Sequence, residues 1–116
     1  MTAPNLSAFQ AVLEAVLEAR AKGVEAISTN QITRETDDQD CYPRGITVYL
    51  DRSDPKVASL RFLSKHLDWL SFSGKGLSIR PPEWPQFRLT EVTYLEAVAE
   101  SLRAKGIKCY ADVHWR

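Results

Sequence analysis

Nothing in the sequence supplies a ready-made metal or redox centre. The 116 residues include only two cysteines, Cys41 and Cys109, and two histidines, His66 and His114. No C-x-x-C pair is present to bind zinc or exchange thiols, and no H-E-x-x-H or G-x-S-x-G string occurs. The cysteines are too few and too far apart for a disulfide framework, so both are expected to be reduced thiols. No metal and no cofactor is expected. An excess of charge of one sign is also missing: fifteen Lys and Arg balance fifteen Asp and Glu. A chain whose main task is gripping phosphate backbones usually carries a basic surplus. Long apolar runs are absent as well, which excludes a transmembrane helix. The N-terminal stretch is interrupted by Glu14 and Glu18 at helical spacing and does not read as a secretory leader. The expected location is cytoplasmic. With five Gly and six Pro, the chain is neither collagen-like nor a linker.

What is present is ordinary globular composition, 44% hydrophobic and 26% charged residues, in a length that suits one domain over residues 1–116. Phe9, Val12, Leu13, Val16 and Leu17 form one stripe of an amphipathic helix from Leu6 to Lys22, with Gly23 as its left-handed C-terminal cap. Val24 to Thr36 is rich in β-branched residues and reads as a strand. The acidic run Glu35–Asp40 and the Cys41–Gly45 segment read as loop and turn. Ile46, Val48 and Leu50 then alternate with Thr47, Tyr49 and Asp51 as a half-buried strand. Asp54-Pro55 is a helix start, Asp as N-cap and Pro in the first turn. Trp69–Ser73 and Leu77–Arg80 flank Gly74-Lys75-Gly76 as a hairpin. Three prolines in Pro81–Pro85 break any central strand. A third helix runs from Thr90 to Gly106. Ile107 to Trp115 shows the cleanest period of two, with Cys109, Ala111 and Val113 on one side and Lys108, Tyr110, Asp112 and His114 on the other.

The predicted order is α-β-β-α-β-β-α-β: an α+β domain with a mainly antiparallel sheet and helices packed on one face. One echo stands out within it. LEAVLEARAKGVEA, Leu13 to Ala26, resembles LEAVAESLRAKGIKCY, Leu95 to Tyr110. A duplication is one reading. The simpler one is that both are helix–glycine–strand transitions, written in the letters such transitions favour.

Few groups converge for chemistry. Asp112 and His114 point the same way on a strand and could form an acid–base pair, but no third group at recognisable spacing completes a site. The acidic run with Asp37, Asp38 and Asp40 lacks the glycine and distal Glu of a calcium loop. It suits a solvated loop or an electrostatic lure for a basic partner. Trp69 to Arg88 is richer: Trp69, Phe72, Trp84 and Phe87 stand among Lys75, Arg80 and Arg88. Aromatics and arginines are the residues that dominate protein interfaces, although Trp69 and Phe72 also suit a core, with Trp84 as its lid. Residues 1–58 hold six basic against nine acidic side chains, and residues 59–116 nine against six.

Three functions follow in order. The first is a non-enzymatic protein-binding module that occludes or adapts a protein partner. Inhibitors, immunity-type proteins and phage- or bacterium-encoded regulators work this way. Its contact residues would be Lys75, Arg80, Trp84, Phe87, Arg88, Asp37, Asp38 and Asp40, in a monomer or homodimer. The second is nucleic-acid binding through the hairpin and the outward sheet face, with Lys108, Tyr110 and Arg116 added. The third is a small hydrolase-like enzyme centred on Asp112 and His114.

Overall fold

The computed structural model describes residues 6–29, 41–49, 53–82 and 88–115. Within them, side chains 6–8, 41–44, 88, 89, 114 and 115 lie outside the description. The elements are α1 (Leu6–Thr29), β1 (Cys41–Val48), α2 (Pro55–Ser64), β2 (Leu70–Ser73), β3 (Gly76–Ile79), α3 (Arg88–Ala104) and β4 (Cys109–Trp115).

The four strands form one antiparallel sheet in the order β2-β3-β1-β4. From β1 onward this connectivity, β-α-β-β-α-β, is the split βαβ arrangement, and α1 is an addition to it. The chain is thus an α+β fold with three helices, as the sequence predicts. Alternation along the strands decides the two faces. Leu70, Leu77, Ile79, Ile46, Val48 and Cys109 are buried and share one core with Val12, Val16, Leu60, Leu63, Val98 and Leu102 of the helices. Thr47, Ser71, Ser73, Ser78, Tyr110 and Asp112 occupy the alternate positions and point away from it.

Several local signals act as read. Asp54 caps α2, its carboxylate accepting the Lys56 amide at 2.9 Å, with Pro55 in the first turn. The hairpin pairs Leu70 with Ile79 and Phe72 with Leu77. At the end of α3, the Ile107 amide donates to Leu102 C=O and the Gly106 amide to Arg103 C=O, both at 3.0 Å. Gly106 takes a φ of +85°, and the pattern is the Schellman closure that a left-handed glycine permits.

The segment after Gly23 departs from expectation. The predicted strand from Val24 is helix as far as Thr29, and residues 30–36 of that reading lie outside the described residues. Gly23 is not a cap. It is a buried mid-helix residue facing α3, where an added Cβ would meet the Tyr94 ring at 2.5 Å and Val98 Cγ2 at 2.8 Å. The absent side chain lets α1 lie flat on α3, and Ala19 and Ile27 continue the same buried face on either side. The helix closes with its own hydroxyls: Ser28 Oγ donates to Glu25 C=O at 2.9 Å, and Thr29 Oγ1 reaches the Glu25 and Ala26 carbonyls at 3.2 Å. Those bonds satisfy last-turn carbonyls, which β-propensity alone does not reveal.

Cys41–Gly45, read as a turn, is the first part of β1. It pairs with β4 through a register shift between Pro43 and Gly45. Such a bulge lets a proline and a glycine sit in a strand.

Tyr94 ties the layers together. Its ring lies against Gly23, and its hydroxyl donates to Ile79 C=O at 2.6 Å from a fully buried position. Burial pushes the phenol well above the ordinary tyrosine range, although nearby Arg20 pulls the other way, so the group is a neutral donor at physiological pH. Among the described residues, no buried side-chain nitrogen or oxygen lacks a hydrogen-bond partner.

Candidate functional site

The three helices cover one face of the sheet, and no described element covers the other. Its middle is built of small residues. Ser71 lies opposite Ser78, Ser73 opposite Gly76, Thr47 opposite Gly76, and Gly45 opposite Asp112. With no long side chain over these rungs among the described residues, they enclose a shallow hollow of about 240 Å³ lined by Gly45, Thr47, Ser71, Ser73, Gly76, Ser78 and Asp112.

One end of this face is aromatic and basic. Tyr49 and Tyr110 are 61% and 39% exposed, and their ring centroids lie 5.1 Å apart at 36°. Desolvation, then the charge and hydrogen bond of Tyr110, raise the Tyr49 phenol above its usual range. Tyr49 is therefore a neutral phenol at physiological pH. The Tyr49 amide donates to Lys108 C=O at 2.8 Å and the Val48 amide to Lys75 C=O at 2.7 Å, so the backbones of two exposed lysines border the pair. Asp112, half-buried, stands at the other end of the hollow. The face runs from cationic and aromatic to anionic across a floor of hydroxyls.

Within the aromatic–arginine stretch, the two aromatics that suit a core in the sequence are core in the structure. Trp69 and Phe72 pack against the core and each lies under a cation, Arg20 at 4.6 Å and Arg61 at 4.9 Å from the ring centroids. Both are fixed parts of the fold. Arg80 is exposed but braced: its Nη2 donates to Asp68 C=O at 3.2 Å, and its own carbonyl accepts from Arg20 Nε at 2.9 Å. Lys75 sits on the hairpin turn, exposed and without an ion pair among the described residues. Arg88 opens α3, with its side chain outside the description. Trp84, Phe87, Asp37, Asp38 and Asp40 lie outside the described residues altogether, as does the side chain of His114. The structure therefore brings Lys75, but not Arg80, to the aromatic end of the uncovered face.

Sequence reasoning passed over the serines and Tyr49. The available signal was Ser71, Ser73 and Ser78 at alternate positions of the two hairpin strands, which places three hydroxyls on one face. A serine nucleophile needs a base within hydrogen-bond reach, and among the described residues Asp112 is the one titratable side chain lining the hollow. Among the described residues no three His, Cys, Asp or Glu side chains cluster to hold a metal. His66 is exposed, with its ring against Phe62 at 4.7 Å. Burial raises the Cys109 thiol despite nearby Arg103, and its Sγ donates to Ala99 C=O at 3.5 Å, so it is a packed and unreactive group. No described helix is long and apolar enough to cross a membrane. No protein-family model, curated protein or solved structure matches the chain.

Proposed function

We propose that the chain is a small protein-binding module that occludes or adapts a protein partner through the uncovered face of its sheet. One observation carries the reading: a face of Ser, Thr and Gly bordered by an exposed, ring-to-ring tyrosine pair. Tyrosine offers large contact area with little conformational entropy to lose, and serine and glycine offer adaptable hydrogen bonding on a close-approach floor. Binding surfaces selected for protein recognition use this mixture. The Lys75–Lys108 end and the Asp112 end provide opposite charges that can set the partner's orientation and speed its encounter. Inhibitor, immunity-type and regulator roles all use such a surface, and each is consistent with a cytoplasmic protein.

A second reading has its own support. Exposed aromatics beside lysines on an open sheet also suit the bases and phosphates of a single-stranded nucleic acid. The neutral net charge and Asp112 weigh against it.

A tagged pull-down from source-cell lysate, with and without nuclease, separates the two. On the first reading a near-stoichiometric protein survives nuclease and is lost with the double variant Tyr49→Ala/Tyr110→Ala. Bound nucleic acid, or a partner lost with nuclease, supports the second. A nuclease-resistant partner retained by the double variant sinks the assignment to this face.

A further inference from the structure

The free edge of β4 carries a separate site. In the order β2-β3-β1-β4, β4 pairs with β1 on one side and with no described strand on the other. Its seven residues are long for an unprotected edge, and such an edge is a template for another extended chain. Lys108 C=O accepts from the Tyr49 amide and so points toward β1. Alternation then turns the backbone groups of Cys109, Ala111 and Val113 outward. Arg103 Nη1 closes the first of these positions by donating to Cys109 C=O at 3.1 Å. No described group takes the positions at Ala111 and Val113.

Beside this edge, between β4 and α3, lies a hollow of about 340 Å³ lined by Glu96, Ala99, Glu100, Arg103 and Ala111. Glu96 and Glu100 are exposed, stand one helical turn apart, and make no ion pair among the described residues. Arg103 already serves the Cys109 carbonyl. The wall of the groove is therefore acidic where the edge is open.

From these features we infer that the groove between α3 and the β4 edge accepts an extended basic segment of a partner protein. The segment adds a fifth strand at Ala111 and Val113 and sets a Lys or Arg against Glu96 and Glu100. Main-chain bonds supply affinity in this mode, and side chains on alternate residues supply specificity. A second copy fits less well. Two-fold pairing of β4 with β4 keeps both α3 helices on the same face of the joined sheet, so Glu96 and Glu100 of the two copies would confront each other. The inference goes beyond the reading of the outer face and does not depend on it, because the groove lies on the helix side of β4.

The test uses the full chain with a capped octapeptide of alternating Lys and Val, followed by amide hydrogen exchange in NMR spectra. Exchange at Ala111 and Val113 is expected to slow at least about tenfold on binding. The double variant Glu96→Gln/Glu100→Gln should weaken the peptide by about fivefold, as expected for exposed ion pairs. N-methylation of alternate peptide amides should abolish binding. Three results would overturn the proposal: no slowing at the highest soluble peptide concentration, equal affinity for an alternating Glu and Val peptide, or protection that rises with protein concentration alone. The last would give the edge to a second copy. The variant Ser71→Arg/Ser78→Arg should leave peptide binding unchanged, so failure at the edge and failure at the outer face are read separately.

Discussion

Arg20-Ala21-Lys22-Gly23 and Arg103-Ala104-Lys105-Gly106 are the same four letters with opposite outcomes. The first continues as helix to Thr29; the second ends a helix and leads into β4. What differs is what each glycine meets. Gly106 has a φ of +85° and open surroundings, its hypothetical Cβ coming no nearer than 3.8 Å to Lys56 Nζ. Buried Leu102 and Ile107 lie on either side of that turn, the apolar contact that accompanies a Schellman closure. Gly23 has helical neighbours and the Tyr94 ring against it. One glycine serves backbone freedom and the other serves close approach. The string alone cannot say which, because the deciding residue, Tyr94, lies on another helix. Lys105 and Glu18, one from each echoed segment, meet at 2.9 Å, but both are exposed and the pair adds little.

The comparison can be broken by substitution. Gly23→Ala should have the largest effect, about 3 kcal/mol of destabilisation, because a methyl is forced into a packed ring. In calorimetry that lowers Tm by on the order of 15 °C for a domain of this size. In a Tyr94→Leu background the penalty should shrink without vanishing, since Val98 Cγ2 also lies 2.8 Å from the added carbon. An additive double variant would mean that Tyr94 is not what Gly23 accommodates. Gly106→Ala should cost less, about 1–2 kcal/mol, from the left-handed backbone alone. Gly106→Asn should recover part of that loss, while Gly23→Asn should be worse than Gly23→Ala. Equal responses at the two sites in chemical denaturation would erase the distinction.

Tyr94→Phe keeps the ring and removes the donor to Ile79 C=O, for an expected loss of about 1 kcal/mol. The smallest effect sharpens the account of the start of α3. Burial raises the Glu91 carboxyl above its ordinary value. Ionising it therefore costs more in the folded chain than in the unfolded one. That penalty is absent below the unfolded pKa, grows as pH rises through it, and is complete above the folded pKa. Glu91→Gln should then raise Tm at pH 7 and leave it unchanged at pH 3. A gain of the same size at both pH values would remove ionisation as the cause.

Legibility followed locality. Asp54-Pro55, the Gly74 hairpin and the period-two run at Cys109–Val113 carry their structural cause within a few residues, and all three formed as read. Val24–Thr29 did not, because its helix rests on packing against α3 and on hydroxyl caps that outweigh β-propensity. The site was less legible than the fold. Trp69 and Phe72 suit a core in the sequence and are core in the structure, yet the cations over their rings, Arg20 and Arg61, are linked to them by no motif. Ser71, Ser73 and Ser78 look featureless in a sequence. They gain meaning only because they share a face that no described element covers.

That uncovered face is the central claim. The most direct test is the affinity of the purified partner for the chain and for Ser78→Arg, which sets one long side chain over the small-residue floor. The account predicts a loss of about a hundredfold or more, as for obstruction at the centre of an interface, with Tm unchanged. Equal affinities for the two proteins would contradict it.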